Sequence, residues 1–233
     1  MVMRLRLSRH GWPQVVVFPA VVLTVMTLCP LAIGSLLPVW AVCLIEVILA
    51  VVLVWILAFF RDPYRLSPQD KNILLAPADG KITDIEMIKE NEFIGGPAVK
   101  IGIFLSIFDA HINRAPCNVR VEKITYKKGR YKNAADPRSS QVNESNDLEL
   151  LRTDDPKDRL IVRQISGAIA RRIVCTATAG QKLSGGEDFG MIKFGSRTEL
   201  YLPARENVKP LVKPGDKVKA GLTIVARYEK CPD

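Results

Sequence analysis

The stretch Val99-Lys100-Ile101-Gly102-Ile103-Phe104-Leu105 sets Val99, Ile101, Ile103 and Leu105 at alternate positions. A period of two is that of a strand with one face on a core. Segments of the same kind lie on both sides of it. Lys81–Ile88 and Val119–Tyr126 mix branched apolar and polar residues, and Lys193–Leu202 and Thr223–Tyr228 complete the set. Leu160–Ile165 and Ala168–Val174 read as strands interrupted by a bulge at Gly167. Between Gly129 and Asp158 the sequence is polar, with Pro137 and Pro156, and only Leu148–Leu151 reads as structured. Short strands with regular turn signals predict a mostly β domain over 72–233, a sandwich or a barrel.

Val208–Ala220 (VKPLVKPGDKVKA) turns at Pro214-Gly215-Asp216. It looks like the hairpins of lipoyl- and biotinyl-type hammerheads but lacks the Met-Lys-Met of their attachment site. It is therefore expected to be a hammerhead-like hairpin that presents lysines at an exposed edge.

The chain before this domain has a different composition. From Trp12 to Phe60 the only Asp, Glu, Lys or Arg is Glu46. That length supplies two bilayer-spanning helices of about 20 residues each. Gly34, Ser35 and Pro38 mark a turn between them. The spacing predicts an N-terminal two-helix membrane hairpin, Gln14–Gly34 and Pro38–Phe60, within a segment 12–60. Residues 1–11 form a basic leader. Residues 61–71 form a linker in which Pro63 and Pro68 stop the helix. Arg4, Arg6 and Arg9 precede the hairpin, and Arg61 and Arg65 follow it. The positive-inside rule then puts both ends, and the domain, on the cytoplasmic side of the cell (inner) membrane.

The net charge of +9 calls for an anionic partner. With few aromatics and no nucleic-acid motif, a bilayer surface fits better than nucleic acid. The five cysteines make no C-x-x-C, so neither a zinc site nor a disulfide framework is expected, and no metal is predicted.

Four places carry candidate chemistry. Asp79-Gly80 reads as a turn unless Asp79 orients a histidine. His111 is the second of only two histidines, the other being His10 in the basic leader, so any imidazole chemistry falls to His111. Ser184–Gly190 is glycine-rich without a P-loop ending. Gly195-Ser196 by itself is a turn dipeptide and lacks the spacing of an esterase elbow.

Taken together, PADGKI (77–82), FLSIFDAHINRAP (104–116), QISGAIARRIV (164–174) and FGSR (194–197) appear in an order that resembles the short branch of the phosphatidylserine decarboxylases. The likeness spans roughly Asn72 to Tyr228. It implies a proenzyme that cuts itself between Gly195 and Ser196. Ser196 would attack the Gly195 carbonyl, His111 would activate it and Asp79 would hold the imidazole. The products would be a β chain 1–195 and an α chain 196–233, associated as a heterodimer open to further oligomerisation. Ser196 would become a pyruvoyl group that forms a Schiff base with phosphatidylserine and accepts electrons as carbon dioxide leaves, giving phosphatidylethanolamine. Asn113 and Arg114, beside His111, are the expected contacts for the lipid phosphate. Where the longer branch reads H-x-x-H-x-P, Arg114 takes the second histidine position, so His111 would serve both processing and turnover. Two alternatives remain at this point: an archaetidylserine decarboxylase, and a membrane-anchored hammerhead-like binding module without chemistry.

Overall fold

The computed structural model describes residues 6–136, 138–168, 172–193 and 195–229. The chain divides into two compact units, 1–64 and 65–233.

The first unit holds β1 (Arg6–Leu7), α1 (Gln14–Ile33), α2 (Val39–Phe59) and β2 (Arg61–Asp62). Both helices are long and apolar enough to cross a membrane, at about 1.5 Å per residue against a hydrocarbon core of about 30 Å. They end within a residue or two of the expected limits. β1 pairs antiparallel with β2, and the Ser8 N–H donates to the Phe60 carbonyl (2.8 Å). The residues entering α1 are thus tied to those leaving α2. The start of the expected linker is therefore a strand rather than free chain, because Arg61 and Asp62 find the leader as a partner.

The second unit contains β3 (Ile73–Leu75), β4 (Gly80–Glu90), β5 (Gly96–Leu105), β6 (Ile112–Arg114), β7 (Val119–Lys127), the single-turn α3 (Ser139–Val142), β8 (Ser145–Arg152), β9 (Arg159–Ile165), β10 (Ile173–Cys175), β11 (Lys182–Leu183), β12 (Asp188–Ile192), β13 (Ser196–Pro203), β14 (Val208–Pro210), β15 (Lys217–Val218) and β16 (Ile224–Tyr228). Eight strands form a curled antiparallel sheet in the order β11-β7-β8-β9-β13-β5-β4-β15. Two three-stranded sheets, β10-β12-β6 and β14-β16-β3, complete the unit.

The apolar alternation of β5 puts Ile101, Ile103 and Leu105 on the core, while Lys100 and Gly102 on its other face are buried as well. Ile101, Ile103 and Leu105 join Ile82, Leu148, Leu150, Val162, Leu200 and Leu202 in one core with Leu74 and Val225. Each fully buried Leu or Ile contributes about 1.5–3 kcal/mol of transfer free energy.

Three expectations change. The polar span 129–158 holds a full strand, β8, between β7 and β9. Its polar residues are buried with partners: Asn146 Nδ2 donates to Gln164 Oε1 (3.0 Å), and Arg163 Nε donates to Asp147 Oδ1 (2.6 Å). A strand whose polar residues are satisfied inside gives no apolar period to read. Next, β9 ends at Ile165 and β10 starts only at Ile173, so Gly167 is not a bulge within continuous strand. Part of the expected second strand, residues 169–171, lies outside the described residues. Finally, the turn at Gly215 (φ 101°) is present, but its two arms pair outward, β14 with β16 and β15 with β4. β15 does place Lys217 at the edge of the large sheet.

Candidate active site

One end of the large sheet gathers the expected residues. Ser196 opens β13 opposite Leu105, the last residue of β5. On the other side of β5, Lys81 faces Phe104, so Asp79 and Gly80, at the start of β4, reach the same end. β5 then turns through Ser106–Asp109 toward His111. That turn is closed by the Ser106 N–H to Asp109 Oδ2 (2.8 Å) and the Asp109 N–H to the Ser106 carbonyl (3.0 Å).

Two bonds hold the His111 strand on either side of the predicted cut. The Ile192 N–H donates to the His111 carbonyl (3.3 Å), four residues before Ser196. Asn113 Nδ2 donates to Thr198 Oγ1 (2.9 Å), two residues after it. His111 is fully buried, and its Nδ1 lies 2.9 Å from the Asp109 carbonyl oxygen. A carbonyl only accepts, so a neutral imidazole here carries its proton on Nδ1 and leaves Nε2 basic, the form a general base needs.

Gly195 has φ +60°, the left-handed conformation in which a side chain is strained. Ile107 of the β5–β6 turn is the nearest neighbour on the side where a Cβ would project. Gly167 presses on the other side: a Cβ added there would run into the Gly195 carbonyl oxygen. Ser196 is wholly buried, and its Oγ has no hydrogen-bond partner among the described residues. A buried hydroxyl left in this state costs about 1–3 kcal/mol, and such atoms call for a functional account. Phe194 lies outside the described residues.

Asp79 is buried, but the expected bond to His111 is not the one it makes. Arg65 grips it with two nitrogens, Nη1 to Oδ1 (2.5 Å) and Nη2 to Oδ2 (2.6 Å), and the Ala220 N–H donates to Oδ1 (2.8 Å). Arg65 also donates to the Ala220 carbonyl (2.6 Å).

Asn113 and Arg114 are likewise engaged within the fold. Besides Thr198, Asn113 meets the Pro77 carbonyl (3.4 Å) and accepts from Gln164 Nε2 (2.9 Å). Arg114 donates to the Gly186 carbonyl (3.0 Å), and its Cδ approaches Gly221. The glycine-rich loop is structural in the same way, with the Gly186 N–H on the Ala115 carbonyl and the Ser184 N–H on Glu187 Oε2.

Behind Ser196, the fully buried Arg197 fixes the start of β13. Its Nη2 donates to both Asp84 oxygens (2.6 and 2.8 Å), its Nη1 to Thr83 Oγ1 (2.6 Å) and its Nε to Glu199 Oε1 (2.8 Å). Burial opposes charge at Asp84, but the Thr83 hydroxyl and the Arg197 guanidinium outweigh it and hold the carboxyl below its ordinary range. No competing nucleophile is offered by Cys117, whose thiol burial pushes up to about 12. Among the described residues no group of three or more His, Cys, Asp or Glu is placed to hold a metal ion.

Gly167, the Asp109 carbonyl and Arg65 were not singled out from sequence as parts of this site. Gly167 offered a signal, a glycine within a motif shared with the resembled family, but its contact is with a carbonyl 28 residues away in the chain.

Comparison with known proteins bears on this geometry. A family model described as phosphatidylserine decarboxylase matches residues 52–226. A phosphatidylserine decarboxylase proenzyme of Carboxydothermus hydrogenoformans is 40% identical over 196 residues, 84% of this chain and 88% of that protein. One from Symbiobacterium thermophilum is 38% identical over 221 residues, 95% of each. One from Beijerinckia indica is 44% identical over 175 residues, 74% of this chain and 73% of the relative.

Proposed function

This chain belongs to the phosphatidylserine decarboxylase family, and we propose that it matures by cutting its own Gly195–Ser196 bond to place a pyruvoyl group at residue 196. It is a carboxy-lyase that converts phosphatidylserine to phosphatidylethanolamine. The observation that carries the site assignment is the buried, unbonded Ser196 Oγ next to a left-handed glycine.

In the processing step, Nε2 of His111 takes the proton of Ser196 Oγ, and the oxygen attacks the Gly195 carbonyl carbon. The carbon–nitrogen bond breaks and the Ser196 nitrogen regains a proton, leaving an ester. Removal of the Ser196 α-proton then expels the Gly195 carboxylate. The dehydroalanine left at residue 196 hydrolyses with release of ammonia to the keto group. Gly195 leaves its carbonyl unshielded and tolerates the torsion, and Gly167 and Ile107 bracket it. A pyruvoyl carbonyl supplies the electron-accepting centre for loss of carbon dioxide. The burial of this end of the sheet limits bulk water around the carbonyl, and in this reading His111 returns a proton to the product.

Asp79 enters this proposal as the carboxylate at the same end of the sheet. Contact with the imidazole requires Asp79 to exchange partners with Arg65, or His111 to release the Asp109 carbonyl. Asn113 and Arg114 take positioning roles, since their polar contacts hold the His111 strand to β13 and to the glycine-rich loop. The helical hairpin and the basic leader fit a domain held at the cytoplasmic face, where the substrate lies. The pairing of β1 with β2 agrees with both ends of the hairpin on one side. Neither the archaetidylserine reading nor the non-catalytic module is favoured.

Ser196→Ala tests the assignment. It is expected to remain one uncut chain without decarboxylase activity, while the wild type yields two fragments whose smaller member has the mass of residues 196–233 with a keto terminus. A normal small fragment from the variant would remove Ser196 from this role.

A further inference from the structure

The two ends of the large sheet differ in charge. A row of directly paired residues crosses the sheet one position from Ser196: Lys127, Ser145, Ile165, Arg197, Phe104 and Lys81. Lys127 and Lys81 are exposed. Beyond this row β7 runs into a loop that exposes Lys128, Arg130, Lys132 and Arg138. Asp136 is the only acid from 127 to 138, and Arg138 Nε donates to its Oδ1 (3.3 Å). The opposite end, at the β4–β5, β8–β9 and β13–β14 turns, exposes Glu92, Asp155 and Glu206 among its cations.

The basic loop lies against the cut. A Cβ built on Gly167 would meet the Gly195 carbonyl oxygen and would also lie 3.3 Å from Ala134 Cβ. Ala134 is buried, which fixes the middle of the loop there. Asn143 Nδ2 donates to the Lys132 and Ser166 carbonyls (2.8 Å each), tying the loop to the residue before Gly167. On the other side Ile107 is the nearest neighbour of Gly195. Next to it, Phe108 is 69% exposed. Leu66, next to the arginine that holds Asp79, is 77% exposed. A half-buried Gly195 is thus surrounded by cations of one loop and by two exposed apolar side chains. Single exposed apolar residues are ordinary; these two share one end of the sheet with a charge of one sign.

We propose that this end of the sheet is the face that the catalytic domain lays on an anionic phospholipid bilayer, with Phe108 among the headgroups and the 127–138 loop on lipid phosphates. This rests on the reading that residue 196 acts on a bilayer lipid. Cations are drawn to an anionic surface within about a Debye length, roughly 10 Å. An aromatic ring is favoured at the level of the headgroups. Every buried methylene holds a two-chain lipid in the bilayer, so the reacting group has to come to the headgroup. A hairpin by itself tethers the domain without turning it. The basic loop and Phe108 select the end that meets the lipid, and it is the end that carries residue 196.

The test uses the full-length, self-cleaved protein in vesicles of phosphatidylcholine and phosphatidylglycerol. Phosphatidylserine is supplied either within the bilayer or as its dihexanoyl form, which dissolves as a monomer. Lys128→Glu combined with Lys132→Glu is expected to cleave normally and to lower the rate on bilayer substrate about tenfold at low salt. Its rate on the dihexanoyl form should stay within about twofold of wild type. The deficit should shrink at about 1 M salt, where the Debye length is about 3 Å. Phe108→Ser should lose rate on the bilayer substrate alone, and Phe108→Trp should keep it. If Phe108→Ser fails to fold or cleave, the exposed lysine pair decides the matter. Equal losses on both substrates would give these residues a structural role and overturn the proposal. If the basic face served an acidic protein instead, the variants would match wild type on these pure-lipid vesicles, which also overturns it. Wild type that cleaves yet leaves both forms of phosphatidylserine intact would defeat the functional reading, and this face with it, whereas active wild type with indifferent variants defeats the face only.

Discussion

Asp79 is a carboxylate with two claims upon it. In the structure Arg65 and the Ala220 amide hold it, while the proposed chemistry asks it to support His111. Asp79→Asn is expected to slow self-cleavage at least about tenfold, since a base without its orienting charge loses part of its advantage; the fraction of uncut chain on a denaturing gel over time measures this. The thermal midpoint should fall as well, because breaking a buried pair leaves one charge without compensation, at a cost of about 3–5 kcal/mol. Arg65→Gln breaks the same pair and separates the two claims. Equal loss of cleavage in both variants at matched stability would reduce Asp79 to a structural partner. Sequence singled out Asp79, His111 and Gly195–Ser196 because their side-chain chemistry and local motifs are visible there. It did not reveal Arg65, which stands in a Pro-containing segment that reads as a linker.

Strand β13 is the element on which the site depends. Thr198, Leu200 and Leu202 face one way, and Arg197, Glu199 and Tyr201 the other, yet all are buried. The polar side closes through Arg197 to Asp84, Thr83 and Glu199, with Tyr201 Oη donating to Glu199 Oε2 (2.5 Å). Gly102 on β5 leaves room for this, since a Cβ there would collide with the Arg197 guanidinium. The Asp84 carboxyl is held in the folded state below the ordinary aspartate range, the Thr83 hydroxyl and the Arg197 guanidinium outweighing its burial. A carboxylate of that kind contributes stability that is present above the unfolded value and lost as pH falls through the folded one. Wild-type stability to denaturant is therefore expected to decline below about pH 4. Asp84→Asn should be less stable near neutral pH, by about 3–5 kcal/mol, with a shallower decline in acid. Parallel curves for the two proteins would show that Asp84 is not the group responsible. The period of two identified β13 as a strand, but the burial of its charged face depends on partners from β4, which no local pattern records.

Cleavage at residue 195 would cut the chain at the threshold of an interior strand. β13 lies between β5 and β9, and β15 and β16, also from 196–233, pair with β4 and β3. The two fragments are therefore expected to stay together. Size-exclusion chromatography in mild detergent should give one peak containing both, and only denaturant should part them. Separation of the small fragment under native conditions would contradict this topology. The hairpin is expected to act as an anchor without taking part in the cut.

The apolar helices, the strand periods and the Gly-Ser step could be read in the chain itself, because each depends on residues within a few positions of one another. The contacts that turn the step into a site could not. Gly167 against the Gly195 carbonyl, the Asp109 carbonyl at the imidazole and Arg65 on Asp79 are made in space, mostly between segments apart in the chain and often through backbone atoms that every residue shares. Packing brings such atoms together, and side-chain identity alone does not record where.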